Sequence, residues 1–440
     1  MKLNSLNDNK VRTWTKLDNA GKLFPCVTSR HDTKVFRFIC ELYEDIDPLI
    51  LQDALDETMK HFPLYQSVIK KGLFWYYLES CDLKPTVQEE DKPPCSQIYD
   101  PHKKNLLFNV TYYKKRINLE IFHSLSDGTG ALNFIKMLVY FYLIKAHADE
   151  LGDNVETLDY DTSPNQSMTD SFEKYYKGEK PKKKKKRISA YKIKGTIGTE
   201  NRLNIVEGVL DTNSVLNLAR SYNTTVTVFL SALLMCKIHE GMGEMDKKRP
   251  VVLSVPVNLR NFFDSQSSRN FFSVINLAYD FNKNSTKFED IIEFVKTSFA
   301  EMITREALTE SMNQYAALEH KIYMRIVPLP IKVLSIKIAN KLFANGVTAS
   351  LSNVAKIKMP EQISGYIHLF DVFFSTDKLQ ICMCSYGDNM TVTFSTPYVD
   401  TDIQRSFFRA LSDMGVVTEI ATNREETGEG DEKNEILPDV

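Results

Sequence analysis

The sequence predicts a mixed α/β fold in two halves of similar pattern, and three observations predict it. The chain has 440 residues, and at roughly 100–200 residues per domain it holds two or three domains or one large two-lobed unit. Some segments alternate apolar and polar residues, while others repeat apolar residues every three to four positions, so strands and helices are interspersed. Each half shows strands, a long helix and a following strand, although no short exact repeat is visible. Hydrophobic residues make up 43% and charged residues 25%, which excludes collagen-like, mucin-like and wholly disordered chains. The formal net charge of -2 is less basic than a general nucleic-acid binder requires.

Taken in order, residues 34–43 (KVFRFICELY) alternate as a half-buried strand. Asp47 and Pro48 supply an N-cap and a first helical position, and Leu51, Leu55 and Met59 then mark one helix face, which Pro63 terminates. Residues 105–113 and 117–122 read as a hairpin ending at His123. The apolar run at residues 131–144 is too short to cross a bilayer and is interrupted by Lys136, so it reads as a buried helix. From 149 to 204 the chain turns polar, with a KKKKKR run at 182–187. That is the composition of a linker between lobes. The run also suits an anionic-lipid or nucleic-acid patch, or local attraction of a phosphorylated cofactor.

In the second half, a strand is expected at 203–210, a helix at 225–240 and a β-branched strand at 250–257. Helices follow at 288–307 and 330–344. The lysines of the latter suit a membrane surface, while the commoner use of such a helix is docking on a core. Segments 367–375, 379–385 and 391–395 read as an antiparallel meander, followed by a helix at 402–414 and an acidic, disordered tail from 419. The implied division is a first lobe over 1–150, a crossover over 151–204, a second lobe over 205–418 and a tail over 419–440. Seven scattered cysteines, with Cys382 and Cys384 on one strand face, read as reduced thiols rather than metal ligands. With no apolar signal-peptide core near the N-terminus, a soluble cytoplasmic protein is expected.

The segment IFHSLSDGTG (121–130) is the most informative. His123, at a strand end, is the group there able to take and return a proton near neutral pH. Asp127 is placed to fix the following loop, and Gly128 to allow a sharp turn. A lone His followed by an Asp also fits a purely structural role. The sequence contains no nucleophile elbow, phosphate-binding Gly loop, dinucleotide fingerprint or HEXXH pair.

His123-Ser124-Leu125-Ser126-Asp127-Gly128 after a strand resembles the HxxxDG motif of the acyltransferases related to chloramphenicol acetyltransferase, which include condensation domains of peptide synthetases and plant BAHD enzymes. Residues 17–25 (LDNAGKLFP), 256–272 (PVNLRNFFDSQSSRNFF) and 348–355 (TASLSNVA) resemble the bacterial alcohol acetyltransferase branch. The four segments stand in order, and the resemblance spans about residues 17 to 411. The DFGWG motif of the plant enzymes is absent, and one His stands where many relatives carry two. Nothing in the chain looks like a carrier protein or adenylation domain.

The resemblance implies two similar α+β two-layer sandwich lobes with a tunnel between them, and His123 midway along it. It implies that His123 is the general base. An alcohol or amine acceptor would attack an acyl thioester directly, either acyl-CoA or an acyl carrier protein, without an acyl-enzyme. Asp127 would pair with Arg260, and no metal would take part. Ser352, Asn353 and Asn270 are candidate tunnel or oxyanion contacts, each equally able to serve as an ordinary strand or turn hydrogen bond. Two lobes in one chain make a monomer sufficient. The rival expectations are a condensation-type enzyme with a carrier-bound donor, and a binding protein on the same fold.

Overall fold

The computed structural model describes residues 13–152, 155–158, 170–178, 189–198, 202–320 and 326–424. The first half supplies β1 (Trp14–Lys16), β2 (Val35–Leu42), α1 (Pro48–His61), β3 (Ser67–Lys71), β4 (Tyr76–Ser80), β5 (Val87–Glu89), β6 (Phe108–Tyr113), β7 (Arg116–Phe122) and α2 (Gly128–Ala146). The α1 start is as the composition dictates: Asp47 Oδ1 accepts from Leu49 N at 2.8 Å and Ile50 N at 3.2 Å, with Pro48 next. β6 and β7 form the expected hairpin, which turns through Lys114 in the left-handed region (φ 51°).

The second half supplies β8 (Asn204–Asp211), α3 (Thr212–Ser221), α4 (Val226–Glu240), β9 (Val251–Asn258), β10 (Phe272–Tyr279), α5 (Phe288–Met302), α6 (Arg305–His320) and α7 (Leu329–Ala344). These are followed by β11 (Ala349–Lys356), β12 (Ile367–Phe374), β13 (Leu379–Tyr386), β14 (Asn389–Thr396), α8 (Asp402–Asp413) and β15 (Thr418–Thr422). Helices α3 and α6 and strand β10 are additional to the elements expected from the sequence. The 182–187 basic run lies outside the described residues.

Two sheets organise the chain. One has the order β12-β2-β7-β6-β5 and the other β10-β9-β11-β13-β14-β8-β15, while β1, β4 and β3 form a small separate sheet. Helices α1 and α2 pack with the five-stranded sheet around one apolar core, and α4, α5 and α8 with the seven-stranded sheet around a second. Each lobe is therefore a helix layer on a sheet layer. Along β13, Ile381 and Met383 enter the second core while Cys382 and Cys384 enter the first. The two cysteines do share a face, and β13 is buried on both sides. All seven cysteines are free thiols.

The expected meander is corrected. β13 and β14 pair as a hairpin, but β12 pairs antiparallel with β2 of the first lobe. Local alternation specifies a strand, not its partner. With β12 buried along most of its length, the free edge of β2 is the position that covers it. The lobe boundary is therefore crossed in both directions, since residues 367–374 belong to the first sheet. The tail also starts later than expected. Residues 418–422 add an edge strand on β8, and 425–440 lie outside the described residues.

Where the sheets face each other, polar groups are buried among apolar ones. Arg116 on β7 reaches Glu41 at 2.5 Å and grips Glu207 of β8 through two bonds of 2.8 and 2.9 Å, a fork geometry particular to guanidinium. Fully buried Asp371 on β12 accepts from Thr393 Oγ1 at 2.7 Å, and its other oxygen has no partner among the described residues. Burial, reinforced by the negative charge of Glu207, pushes the Asp371 carboxyl up to about 7. A raised folded-state value favours the protonated form, so this group's stabilising contribution is complete below the ordinary carboxylate range. It is lost as pH rises through about 7. Asp371→Asn removes that dependence. In denaturant unfolding from pH 4 to 8, the stability of the variant relative to the native protein is expected to rise with pH and level off above 7. A flat difference would contradict this account.

Candidate active site

The site assembles where β7 ends. His123 continues β7's pairing, its N–H bonded to the Lys34 carbonyl at 2.9 Å. Segment 17–25 wraps beneath it: Gly21 N donates to Asp18 Oδ1 at 2.6 Å, and Ser124 Oγ donates to Gly21 O at 2.9 Å. The helical turn Phe24–Val27 then brings Phe24 to stack on the imidazole, with centroids 4.4 Å apart. Phe36 of β2, Phe272 of β10 and Phe374 of β12 complete an aromatic enclosure at 5.0, 5.7 and 5.9 Å. Both lobes thus contribute walls.

Asp127 caps α2, its Oδ1 accepting from Gly130 N at 3.1 Å. Its Oδ2 accepts from Arg260 Nη1 at 2.7 Å and from Phe271 N at 2.8 Å. Asp127 and Arg260 therefore meet across the lobes, and both are largely buried. Arg260 also donates to the Ser267 carbonyl at 2.7 Å and the Arg269 carbonyl at 2.6 Å. One guanidinium thereby shapes the loop that carries Asn270. The glycine that packing demands is Gly130 rather than Gly128. A Cβ on Gly130 would lie 2.1 Å from Ser126 Oγ and 2.3 Å from the Ser268 carbonyl, whereas one on Gly128 would meet nothing within 4 Å. Gly128 takes its place as the first residue of α2, and its φ is not positive.

Asn270 is buried against the imidazole. Its amide nitrogen donates to Asp18 Oδ2 at 3.2 Å and to the His123 carbonyl at 3.1 Å, so its oxygen is the acceptor. That oxygen lies 3.1 Å from His123 Nδ1. Nδ1 therefore carries the ring proton, and Nε2 keeps a free lone pair. Burial lowers the imidazole's affinity for a proton, while the Asp127 charge opposes that shift. The net direction is below the ordinary 6.5, which leaves the ring neutral at pH 7. Asp18 is itself pushed up by burial, against the pull of Arg269 3.7 Å away.

Asn353 is used locally. Its amide nitrogen donates to Thr227 Oγ1 at 2.8 Å, and its oxygen accepts from Ala355 N at 2.7 Å across a β-bulge where Ala355 has φ 71°. Ser352 pairs in register with Cys382, so it sits on the β11 face turned toward the first lobe. Its hydroxyl makes no hydrogen bond among the described residues. Sequence reasoning assigned no role to Asp18, Phe24 or Gly130. All three lie within the quoted segments 17–25 and 121–130, but nothing in a single sequence gives the distance from those segments to the imidazole.

Removing Arg260 leaves the Asp127 carboxylate buried without its cation, which costs roughly 3–5 kcal/mol. Arg260→Ala is therefore expected to lose about that much in denaturant unfolding. Asp127→Asn combined with Arg260→Met should lose clearly less, because no uncompensated charge remains. Equal losses in the two variants would count against the ion pair as the lobe clamp.

No family model matches the chain, and no curated protein matches it by sequence. Solved structures do. The first condensation domain of the calcium-dependent antibiotic synthetase, bound to a substrate analogue, matches with TM-score 0.62 at 14% identity, covering 92% of this chain and 99% of that one. TRI101 of F. sporotrichioides, solved with coenzyme A and T-2, matches at 0.61 and 11%, covering 93% and 99%. TRI3 trichothecene 15-O-acetyltransferase from Fusarium sporotrichioides matches at 0.60 and 8%, covering 93% and 97%. The chain thus has the two-lobed fold shared by condensation domains and acetyltransferases of the chloramphenicol acetyltransferase type.

Proposed function

We propose that the chain transfers an acyl group from a thioester, acyl-CoA in the first instance, to an alcohol or amine acceptor. The observation that carries this reading is the state of His123: a neutral imidazole at the junction of the lobes, its Nδ1 proton held by Asn270 and its Nε2 free of any bond among the described residues. In this reading Nε2 takes the proton of the acceptor hydroxyl as its oxygen attacks the thioester carbonyl. The new C–O bond forms and the carbonyl becomes an oxyanion. The oxyanion collapses with cleavage of the C–S bond, and Nε2–H returns the proton to the leaving thiolate. The transient imidazolium is supported by the Asp127 charge, which favours the protonated ring, and by the Asn270 oxygen. No covalent enzyme intermediate is needed.

Ser352 is the proposed oxyanion donor, because its hydroxyl is uncommitted while Asn353 and Asn270 are spent on other partners. Asp127, Arg260 and Gly130 position the loop rather than touching substrate. That TRI101 was solved with coenzyme A favours a CoA donor. Likeness to a condensation domain makes a carrier-bound donor the second arm of the test.

The test is thiol release from acyl-CoAs of increasing length, with a panel of alcohols and amines. His123→Ala should lower acceptor-dependent release about 10²–10⁴-fold and Ser352→Ala about 10²-fold in kcat. The acid limb of kcat/KM in the native protein should fall below pH 6.5, since the ring must be neutral to act. Turnover that survives His123→Ala, or an acid limb at or above 6.5, would refute the assignment of the base.

A further inference from the structure

Helix α7 exposes the wrong side for a helix docked on a core. Leu329, Lys332, Val333 and Ile336 face inward, while Ile331 (60%), Leu334 (61%), Ile338 (55%) and Leu342 (46%) face solvent. At 3.6 residues per turn these four lie within an arc of about 80°. Lys337 and Lys341, both exposed, run along one flank of that arc. The apolar surface does not stop at the helix. The tip of the β3–β4 hairpin presents exposed Leu73 and Phe74 after exposed Lys71. It is tied to α7 by Leu329 N bonded to Leu73 O and Lys332 Nζ bonded to Phe74 O, each at 2.9 Å. The buried Lys332 ammonium also lies over the Trp75 ring at 4.1 Å. Helix and hairpin tip thus form one surface, of a kind soluble monomers rarely leave open.

Charge identifies the occupant. The whole chain is nearly balanced, with 55 basic and 57 acidic residues. Yet residues 320 to 360 contain no Asp or Glu, and carry six Lys and one Arg. An aliphatic stripe flanked by lysines, with no acid nearby in sequence, is the pattern of a helix lying in the plane of an anionic bilayer surface. We infer that α7 and the β3–β4 tip dock the protein on anionic lipid. The surface adjoins the site, because α7 packs against the turn Phe24–Val27, whose Phe24 stacks on His123. Docking would therefore place the site beside a lipid phase.

The test is co-sedimentation with phosphatidylcholine vesicles, with and without phosphatidylglycerol. It needs no turnover, so its outcome is independent of the proposed reaction. The native protein should sediment with the anionic vesicles. Leu334→Ser/Ile338→Ser/Leu342→Ser should lose at least ten-fold in binding, as should Leu73→Ser/Phe74→Ser on the hairpin, and either variant is read provided it melts like the native protein. Lys337→Gln/Lys341→Gln should abolish the preference for anionic over zwitterionic vesicles. The proposal is overturned by a native protein that stays in the supernatant, or by variants that sediment like it. It is also overturned by a native dimer that the triple variant converts to monomer, since a second copy would then be what covers the patch.

Discussion

The buried ion pair between Asp127 and Arg260 is the interaction on which the rest of the site depends. A carboxylate cannot stay buried without a compensating charge and filled hydrogen bonds, and here both its oxygens are used. One caps α2 and the other meets the guanidinium and the Phe271 amide. The guanidinium has donors left over, and they gather the Ser267 and Arg269 carbonyls. That fixes the loop whose next residue, Asn270, holds the imidazole. The ring's tautomer is thus set by a charge pair two steps away. No motif residue contributes only its own side chain's chemistry.

Much of this was legible in the sequence where the signal was local. The N-cap of α1, the β6–β7 hairpin, the shared face of Cys382 and Cys384, and the facing of Asp127 and Arg260 all follow from residue types at short spacing or from motif resemblance. What was not legible required knowing which distant segments meet. Which atom of Asn270 faces His123 cannot be read until Asp18 is seen at its amide nitrogen, because an amide's orientation is decided by its partners. Gly128 draws attention as part of the motif, yet Gly130 is the residue pressed against Ser126 and the Ser268 carbonyl. Helices α3 and α6 and strand β10 were not anticipated, although Thr212, Val215 and Ala219 stand at helical spacing and burial alternates along β10.

The aromatic enclosure of His123 ties fold to chemistry. Phe24, Phe36, Phe272 and Phe374 come from four separate elements. The low-dielectric surroundings they create lower the ring's proton affinity, and the Asp127 charge limits how far. Burial disfavours the charged ring and the nearby carboxylate favours it, and the balance of the two leaves the imidazole neutral.

The placement of β12 bears on how the chain is made. The first lobe's sheet has an open edge along β2 until residues 367–374 arrive to pair with it. On a ribosome those residues follow the rest of that sheet by more than half the chain, on the order of ten seconds or more at usual elongation rates. Through that interval the β2 edge, which carries Phe36, Phe38 and Ile39, stands unpaired and is the natural target for misassociation between nascent chains. The first lobe therefore cannot be completed until most of the second half has been synthesised. Its vulnerability to aggregation should therefore be greatest during synthesis, since β8 likewise waits for β14 and β15 near the end of the chain.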